Sequence, residues 1–295
     1  MTSRSSLLLA SALAGVSLLL TAPASASASP ASTPAPASAS AGFAPANACF
    51  TWGRSLSEGA SGEDVRQLQI RVAGYPGFGG ELAIDGEFGP ATRAAVERFQ
   101  AAYGLEADGI AGPLTFGKIY ELQKGDCSPA NFDWSELNQC GTDWSGGQVD
   151  AATVQANVLV TMWKLQALRH AMGDRPIGIN DGFRDHACND AVGGSPDSLH
   201  MYGLAADMSA GSQGFCALAF EAREHGFTQI LGPGYPDHDD HLAALVGELV
   251  DGGLRGEALG VVGPGEDVGG DGVHQCPTVG AEAVGDRGRH LHGDP

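Results

Sequence analysis

The sequence has few basic residues, no Cys-x-x-Cys pair and no long apolar run after its N-terminal segment. Its 16 Lys and Arg stand against 35 Asp and Glu, which gives a net charge of -19 and argues against nucleic acid as a partner. No internal run approaches the roughly 18 apolar residues of a membrane span. With 295 residues, 43% of them hydrophobic, the chain has room for one large domain or two modest ones.

Residues 1–28 have the features of a signal peptide. Arg4 precedes an apolar run from Leu7 to Leu20, and Ala-Ser-Ala triplets within residues 24–28 match the small-residue pattern that signal peptidase cuts. A membrane anchor is the alternative, but the run is short and a polar stretch follows it. Residues 29–48 consist mainly of Ala, Ser, Pro and Thr, which predicts a disordered linker. We expect a secreted protein, extracellular or in the cell wall, with no membrane contact after cleavage.

All six cysteines follow the predicted cleavage site. In an oxidising compartment an even number of cysteines favours disulfides, and the absence of Cys-x-x-Cys speaks against the alternative of zinc ligation. Six cysteines allow 15 pairings, and spacing alone does not choose among them. The residues are Cys49, Cys127, Cys140, Cys188, Cys216 and Cys276.

Residues 84–92 and 107–115 share the pattern Asp-Gly-x-x-Gly-Pro-x-Thr. Asp-Gly predicts a turn, and Pro fits the first turn of a helix, where its missing N–H costs no hydrogen bond. Each copy therefore predicts a turn that leads into a helix. An earlier helix is expected to start at Ser61, whose hydroxyl can cap it. The three helices form a small bundle with no ionisable cluster that suggests catalysis.

These residues resemble the peptidoglycan-binding module of bacterial wall hydrolases. The resemblance rests on S-G-x-x-V-x-x-L-Q from Ser61, on D-G-x-F-G-P-x-T-x-x-A-V-x-x-F-Q from Asp85 and on D-G-I-A-G-P-x-T from Asp108. It implies a bundle that binds peptidoglycan. A bundle that only stabilises its neighbour is the alternative.

The second half of the chain begins with a predicted long helix. Residues 149–172 place apolar side chains on one face, which predicts an amphipathic helix, and Gly173 follows its end. A short strand at residues 177–179 then leads to a loop, Asp-Gly-Phe-Arg, that ends at Arg184. A lone arginine is usually a surface residue, so Arg184 gains interest only from the motif that follows it.

Residues 198–208 carry a candidate metal site. Apolar side chains there alternate with small ones and with Asp207, which predicts a strand with one apolar face. His200 and Asp207 are candidate zinc ligands, because zinc takes imidazole nitrogen and carboxylate oxygen. A capping histidine and a solvated aspartate are the alternative.

Residues 237–241 read Asp-His-Asp-Asp-His and follow a predicted helix at 217–225 and strand at 227–231. Zinc hydrolases need three protein ligands, an open position for water and a carboxylate that accepts the proton of that water. The cluster offers groups of these types. A charged surface loop is the alternative.

From Cys49 to His241 the chain resembles the secreted zinc D-alanyl-D-alanine carboxypeptidases, in the superfamily that also holds lysostaphin-like endopeptidases and the hedgehog signalling domain. The resemblance rests on S-x-H-x-x-G-x-A-x-D from Ser198, with Arg184 upstream and the acidic-histidine cluster downstream at the family spacing. It implies an α+β fold with a central antiparallel sheet. It also implies two disulfides, Cys49–Cys127 and Cys140–Cys188.

The resemblance assigns a role to each candidate site residue. His200 and Asp207 would be two zinc ligands, and Arg184 would hold the terminal carboxylate or a carbonyl oxygen of the substrate. Asp240 would be the general base. His241 would help to stabilise the tetrahedral oxyanion.

The resemblance stops at the third zinc ligand. The family motif ends His-x-His, but here the chain reads His241-Leu242-Ala243, and Ala243 offers no ligand. Residues 242–295 are rich in Gly and contain no Phe, Trp, Tyr, Ile, Met, Lys, Ser or Asn. This change predicts a disordered tail and a shifted reading frame just after His241, which resequencing the locus would reveal as one inserted or deleted base.

The sequence thus predicts a peptidoglycan-binding module at residues 49–127 and a zinc carboxypeptidase domain at residues 128–241. The expected reaction is hydrolysis of the terminal D-Ala-D-Ala bond of peptidoglycan stem peptides by a monomer with Zn²⁺ as cofactor. A non-catalytic peptidoglycan-binding protein with a degenerate zinc site is one alternative, which Ala243 favours. A cell-wall endopeptidase is the other.

Overall fold

The computed structural model describes residues 49–209, 211–212, 214–232 and 241–245. The predicted signal peptide and linker, residues 237–240 of the acidic-histidine cluster and the tail after residue 245 lie outside the described residues. In chain order the elements are α1 (Glu63–Arg71), α2 (Pro90–Ala102), α3 (Pro113–Glu121), a 3₁₀ helix (Trp134–Leu137), α4 (Ala151–Ala171), β1 (Gly178–Asp181), α5 (His186–Ala191), a second 3₁₀ helix (Leu199–Tyr202), β2 (Ala205–Ser209), α6 (Phe215–Glu224), β3 (Gln229–Leu231) and β4 (Leu242–Leu245).

The two sequence repeats fold as predicted, each into a turn that leads into a helix. Pro90 and Pro113 are the first residues of α2 and α3. In each copy a buried glutamine from the preceding helix donates to the Asp and the Thr of the motif and accepts from the backbone N–H of its Gly. The bonds run from Gln69 to Asp85 (2.8 Å), Thr92 (3.1 Å) and Gly86 (2.8 Å), and from Gln100 to Asp108 (2.9 Å), Thr115 (3.1 Å) and Gly109 (2.9 Å). The repeat therefore encodes a buried polar network that fixes each turn.

The first helix begins later than the sequence predicts. It starts at Glu63 with Gly62 as its N-cap, and no side chain caps it. Ser61 instead pairs through its backbone with Glu87, and the N–H of Gly62 donates to the carbonyl of Gly86. The prediction of a serine cap was wrong because this backbone pairing holds Ser61 outside the helix.

The long helix α4 is buried on two faces rather than one. Asp150 caps it by accepting from the N–H groups of Ala152 and Thr153. One face packs on the sheet through Val158 and its neighbours, as predicted. The opposite face packs on the three-helix module and supplies three residues to its core, which are Leu159, Trp163 and Ala167. The prediction of a single apolar face missed this second contact.

The module and the second half of the chain are therefore joined by a packed interface. Gly74 lies so close to α4 that a Cβ there would stand 2.4 Å from the Cβ of Ala167. The buried ammonium of Lys164 donates to Glu81 of the module at 3.2 Å and to the carbonyl of Gly226 at 2.8 Å. Burial lowers the pKa of Lys164, and the charge of Glu81 opposes that shift.

The described residues form one four-stranded sheet in the order β1-β2-β4-β3, with every neighbouring pair antiparallel. This confirms the predicted α+β fold with a central antiparallel sheet. Four residues of the segment predicted as a disordered tail, Leu242–Leu245, lie in the sheet as β4. The prediction was wrong for these residues because their apolar side chains are buried and their backbone pairs with both β2 and β3.

Both disulfides that the resemblance implies are present, Cys49–Cys127 and Cys140–Cys188. Cys216 is disulfide-bonded as well. Across the described ranges, no helix combines the length and apolar character that a membrane crossing requires.

Candidate active site

Strand β2 brings Asp207 to the face of the sheet that points away from α4. Ala206 and Met208 point into the core between the sheet and α4. Because side chains alternate along a strand, Ala205 and Asp207 point to the other face. The side chain of Asp207 is only 7% exposed. The alternation predicted from the sequence is confirmed, and it places a buried carboxylate between small neighbours.

His200 reaches Asp207 from the 3₁₀ helix that precedes β2. Gly203 ends this helix in a left-handed conformation (φ 75°), and a Cβ there would stand 2.8 Å from the carbonyl oxygen of Val154. Nδ1 of His200 lies 2.6 Å from the carbonyl oxygen of Gly182. A carbonyl oxygen only accepts, so we assign the proton to Nδ1. The unprotonated Nε2 then faces Oδ1 of Asp207 at 3.3 Å.

Arg184 closes the site on the side of β1. Its Nε donates to Oδ2 of Asp181 at 2.6 Å, and its Nη2 donates to Oδ2 of Asp207 at 2.9 Å. Its backbone N–H donates to the carbonyl of His200 at 3.3 Å. The side chain is 13% exposed, so one guanidinium neutralises two largely buried carboxylates.

Oδ1 of Asp207 is buried and accepts no hydrogen bond of good geometry from the described residues. Burial raises the pKa of Asp207, but His200, Arg184 and His241 lower it by more, so the pKa lies below its ordinary value. An ionised carboxylate oxygen and an imidazole nitrogen thus face each other at 3.3 Å. A buried orphan acceptor needs an explanation, and a bound cation would satisfy both groups.

The position for a third ligand is occupied by alanine. In the ladder between β2 and β4, Ala243 is the residue directly opposite Asp207, so the two side chains share one face. Ala243 is 2% exposed and packs among apolar side chains, which are Ala205, Leu245, Leu199 and Leu231. Within the described residues no three His, Cys, Asp or Glu side chains are grouped to hold a metal. The residues present match two positions of a zinc site and do not complete it.

The acidic-histidine cluster is described only at its last residue. His241 directly precedes β4 and is close enough to influence Asp207 electrostatically. Asp237, His238, Asp239 and Asp240 lie outside the described residues. The structure therefore brings together Arg184, His200, Asp207 and His241 among the candidates that the sequence offered.

Sequence reasoning missed Asp181. It treated this residue as part of a loop, whereas Asp181 is the last residue of β1 and pairs with Arg184. Its spacing of three residues before Arg184 was the available signal. The irregularity of β1 that turns Asp181 into the site has no sequence pattern of its own.

Comparison with known proteins shows to which family of proteins the chain belongs. The peptidase M15 family matches residues 130–243, and a peptidoglycan binding domain matches residues 61–119. The chain belongs to the peptidase M15 family. It is 69% identical over 202 residues to the zinc D-Ala-D-Ala carboxypeptidase of Streptomyces albus G, an alignment that covers 68% of this chain and 79% of that protein.

Other relatives match a smaller share of the chain. A spore cortex-lytic enzyme of Bacillus cereus is 44% identical over 76 residues, which are 26% of this chain and 29% of that enzyme. Among solved structures, a peptidoglycan-binding protein from Clostridioides difficile has 42% sequence identity to this chain. The match covers 22% of this chain and 39% of that protein, with a TM-score of 0.20.

Proposed function

We propose that this protein is built as an exported carboxypeptidase of the zinc D-Ala-D-Ala type, a class that removes the terminal D-Ala from peptidoglycan stem peptides, and that this activity requires a third zinc ligand, which Ala243 does not supply. The observation that carries the proposal is the buried pair formed by His200 Nε2 and Asp207 Oδ1, which lie 3.3 Å apart beside the guanidinium of Arg184. Membership in the M15 family and the name of the 69% identical relative support it.

The roles follow from what each side chain offers. His200 and Asp207 would contribute two ligands to zinc. Nε and Nη2 of Arg184 bond to Asp181 and Asp207, and Nη1 would bind the terminal carboxylate or a carbonyl oxygen of the substrate. Asp240 is proposed as the general base and His241 as a donor to the oxyanion, both from the family resemblance.

The module at residues 49–127 is proposed to hold the enzyme on the wall. The disulfides support an oxidising compartment outside the cell. The packed interface at α4 supports a fixed orientation of the module relative to the site. Signal cleavage after residue 28, the absence of later membrane contact and a monomeric state complete this proposal.

Ala243 limits what the chain as written can do. Zinc hydrolases hold the metal through three protein ligands, and the position opposite Asp207 supplies none. The described residues of this chain therefore supply two of the three ligands. The same observation favours a second candidate function, a peptidoglycan-binding protein whose site no longer hydrolyses.

Release of D-Ala from a diacetyl-Lys-D-Ala-D-Ala peptide in the presence of zinc separates the two candidates. We compare the protein as written with Ala243→His, which places an imidazole beside Asp207, and with Ala243→His combined with His200→Ala, which removes a ligand again. The proposal predicts release by the single variant only, about 100-fold or more above the other two proteins, since loss of an outer-shell partner of a ligand already costs about 10–100-fold and these two proteins lack a ligand itself.

A zinc-loaded Ala243→His variant that releases no D-Ala but still sediments with peptidoglycan would favour the binding protein. Release of monomers from cross-linked dimers, without free D-Ala, would instead indicate an endopeptidase. Both outcomes contradict the carboxypeptidase proposal, and they differ from each other.

A further inference from the structure

We propose that Asp181 is a positioning residue that orients both His200 and Arg184 through its two carboxylate oxygens. This proposal deepens the proposed function, on which its meaning for catalysis rests. Asp181 lies at the end of β1, and its side chain is 19% exposed. Each of its two carboxylate oxygens accepts a hydrogen bond from the protein.

A bulge brings Asp181 into the site. Ile179 stands opposite Met208, and Asp181 stands opposite Asp207, so Asn180 is an extra residue in the ladder. Strict alternation would have placed Asn180 beside Asp207 and turned Asp181 toward the core. Bulges commonly re-aim a side chain next to an active site. The carboxylates of Asp181 and Asp207 become neighbours on one face. The guanidinium of Arg184, which donates to both, offsets the repulsion between their charges.

The first oxygen of Asp181 sets the direction of Arg184. Oδ2 accepts from Nε of Arg184 at 2.6 Å, which leaves Nη2 to donate to Asp207 at 2.9 Å. A guanidinium is planar, so a bond at Nε fixes the plane in which the remaining N–H groups lie. Asp181 therefore determines where Nη1 points.

The second oxygen acts on His200 through the backbone of Gly182. Oδ1 of Asp181 accepts from the N–H of Gly182 at 2.8 Å, and the carbonyl of Gly182 accepts from Nδ1 of His200 at 2.6 Å. Gly182 cannot be replaced without displacement, because a Cβ there would stand 2.6 Å from Cα of Leu137. The N–H of the next residue, Phe183, is held by the carbonyl of Leu137 at 2.7 Å. This fixed turn transmits the position of Asp181 to the imidazole.

Side-chain ¹⁵N NMR of the zinc-free protein tests the proposal without requiring activity. In the protein as written we expect His200 in the Nδ1–H tautomer and slow exchange of the Nε–H of Arg184. In Asp181→Ala we expect a mixture of His200 tautomers and exchange of the Arg184 Nε–H at least about tenfold faster, since a hydrogen bond to a charged group is lost.

Asp174→Asn is the matched control, because Asp174 forms an Asp–Arg pair away from the site, with Arg169 at 2.9 Å. It should leave the signals of His200 and Arg184 unchanged. If Asp181→Ala does not fold, Asp181→Asn tests the proposal instead. The asparagine amide keeps an acceptor for the N–H of Gly182 but presents a donor to Arg184. Only the Arg184 signal should therefore change. A folded Asp181→Ala protein with both signals unchanged overturns the proposal. Because the NMR readout needs neither zinc nor turnover, loss of the proposed function would not mimic this result.

Discussion

Asp207 has two neighbours in the sheet, and they differ completely in chemistry. On the β1 side stands Asp181, which is hydrogen-bonded to Arg184 and to the backbone that orients His200. On the β4 side stands Ala243, followed by Leu231 of β3, and both pack in an apolar cluster. The residues before position 241 therefore form a polar network around Asp207. Strand β4, the part of the chain after residue 241 that the structure describes, places only apolar side chains there.

The difference lies in the side chains and not in the backbone. Strand β4 pairs with β2 in regular register over four residues, and Ala243 faces Asp207 directly. Opposite residues of an antiparallel pair have Cβ atoms about 5 Å apart, so an imidazole at position 243 would reach the space beside Asp207 without a change of register. The backbone at position 243 is therefore placed for a ligand that the alanine side chain does not provide.

The largest expected effect is on the β1 side. In Arg184→Ala, the two facing carboxylates of Asp181 and Asp207 lose their shared countercharge, and removing one partner of a buried pair costs about 3–5 kcal/mol. We expect a loss of this size in the free energy of unfolding, measured by urea denaturation.

Arg169→Ala is the control for this measurement. Its partner Asp174 is 57% exposed, and an exposed pair contributes about 0–1 kcal/mol. Equal losses of unfolding free energy in the two variants would contradict a special dependence of the two buried carboxylates on Arg184.

A smaller effect is expected on the β4 side, and only in the presence of zinc. One zinc bound to the folded state at 100 times its dissociation constant stabilises that state by about 2.7 kcal/mol. Thermal melts with and without zinc should show this stabilisation in Ala243→His. They should show no zinc dependence in Ala243→Leu, which adds volume without a ligand. A similar shift in both variants would mean that zinc binds elsewhere.

The sequence predicted that Arg184, His200 and Asp207 meet, and the structure brings them together, while their roles stay proposals. Alternation along residues 204–208 placed Asp207 on the face away from the core, and the motif spacing brought it together with His200 and Arg184. The role of Asp181 could not be predicted, because it depends on a bulge at Asn180 that only the ladder register shows.

The fold was predictable where a local pattern determines it. The two repeats predicted α2 and α3 correctly, since their turn and proline chemistry act within a few residues. The second buried face of α4 and the late start of α1 depend on contacts with distant segments, which a local pattern does not contain.

The shift of reading frame after His241 remains our proposal for the origin of Ala243. The M15 match ends at residue 243, which supports it. Strand β4 shows that the residues after His241 still complete the sheet for at least four positions, because their apolar character suits the slot between β2 and β3.

The zinc content of the purified protein as written tests the central claim most directly. Elemental analysis after dialysis against zinc-free buffer should find well below one zinc per chain, because His200 and Asp207 supply two ligands where zinc sites use three or more. The Ala243→His protein, treated in parallel, should retain close to one. One zinc per chain in the protein as written would contradict the claim that position 243 leaves the site incomplete.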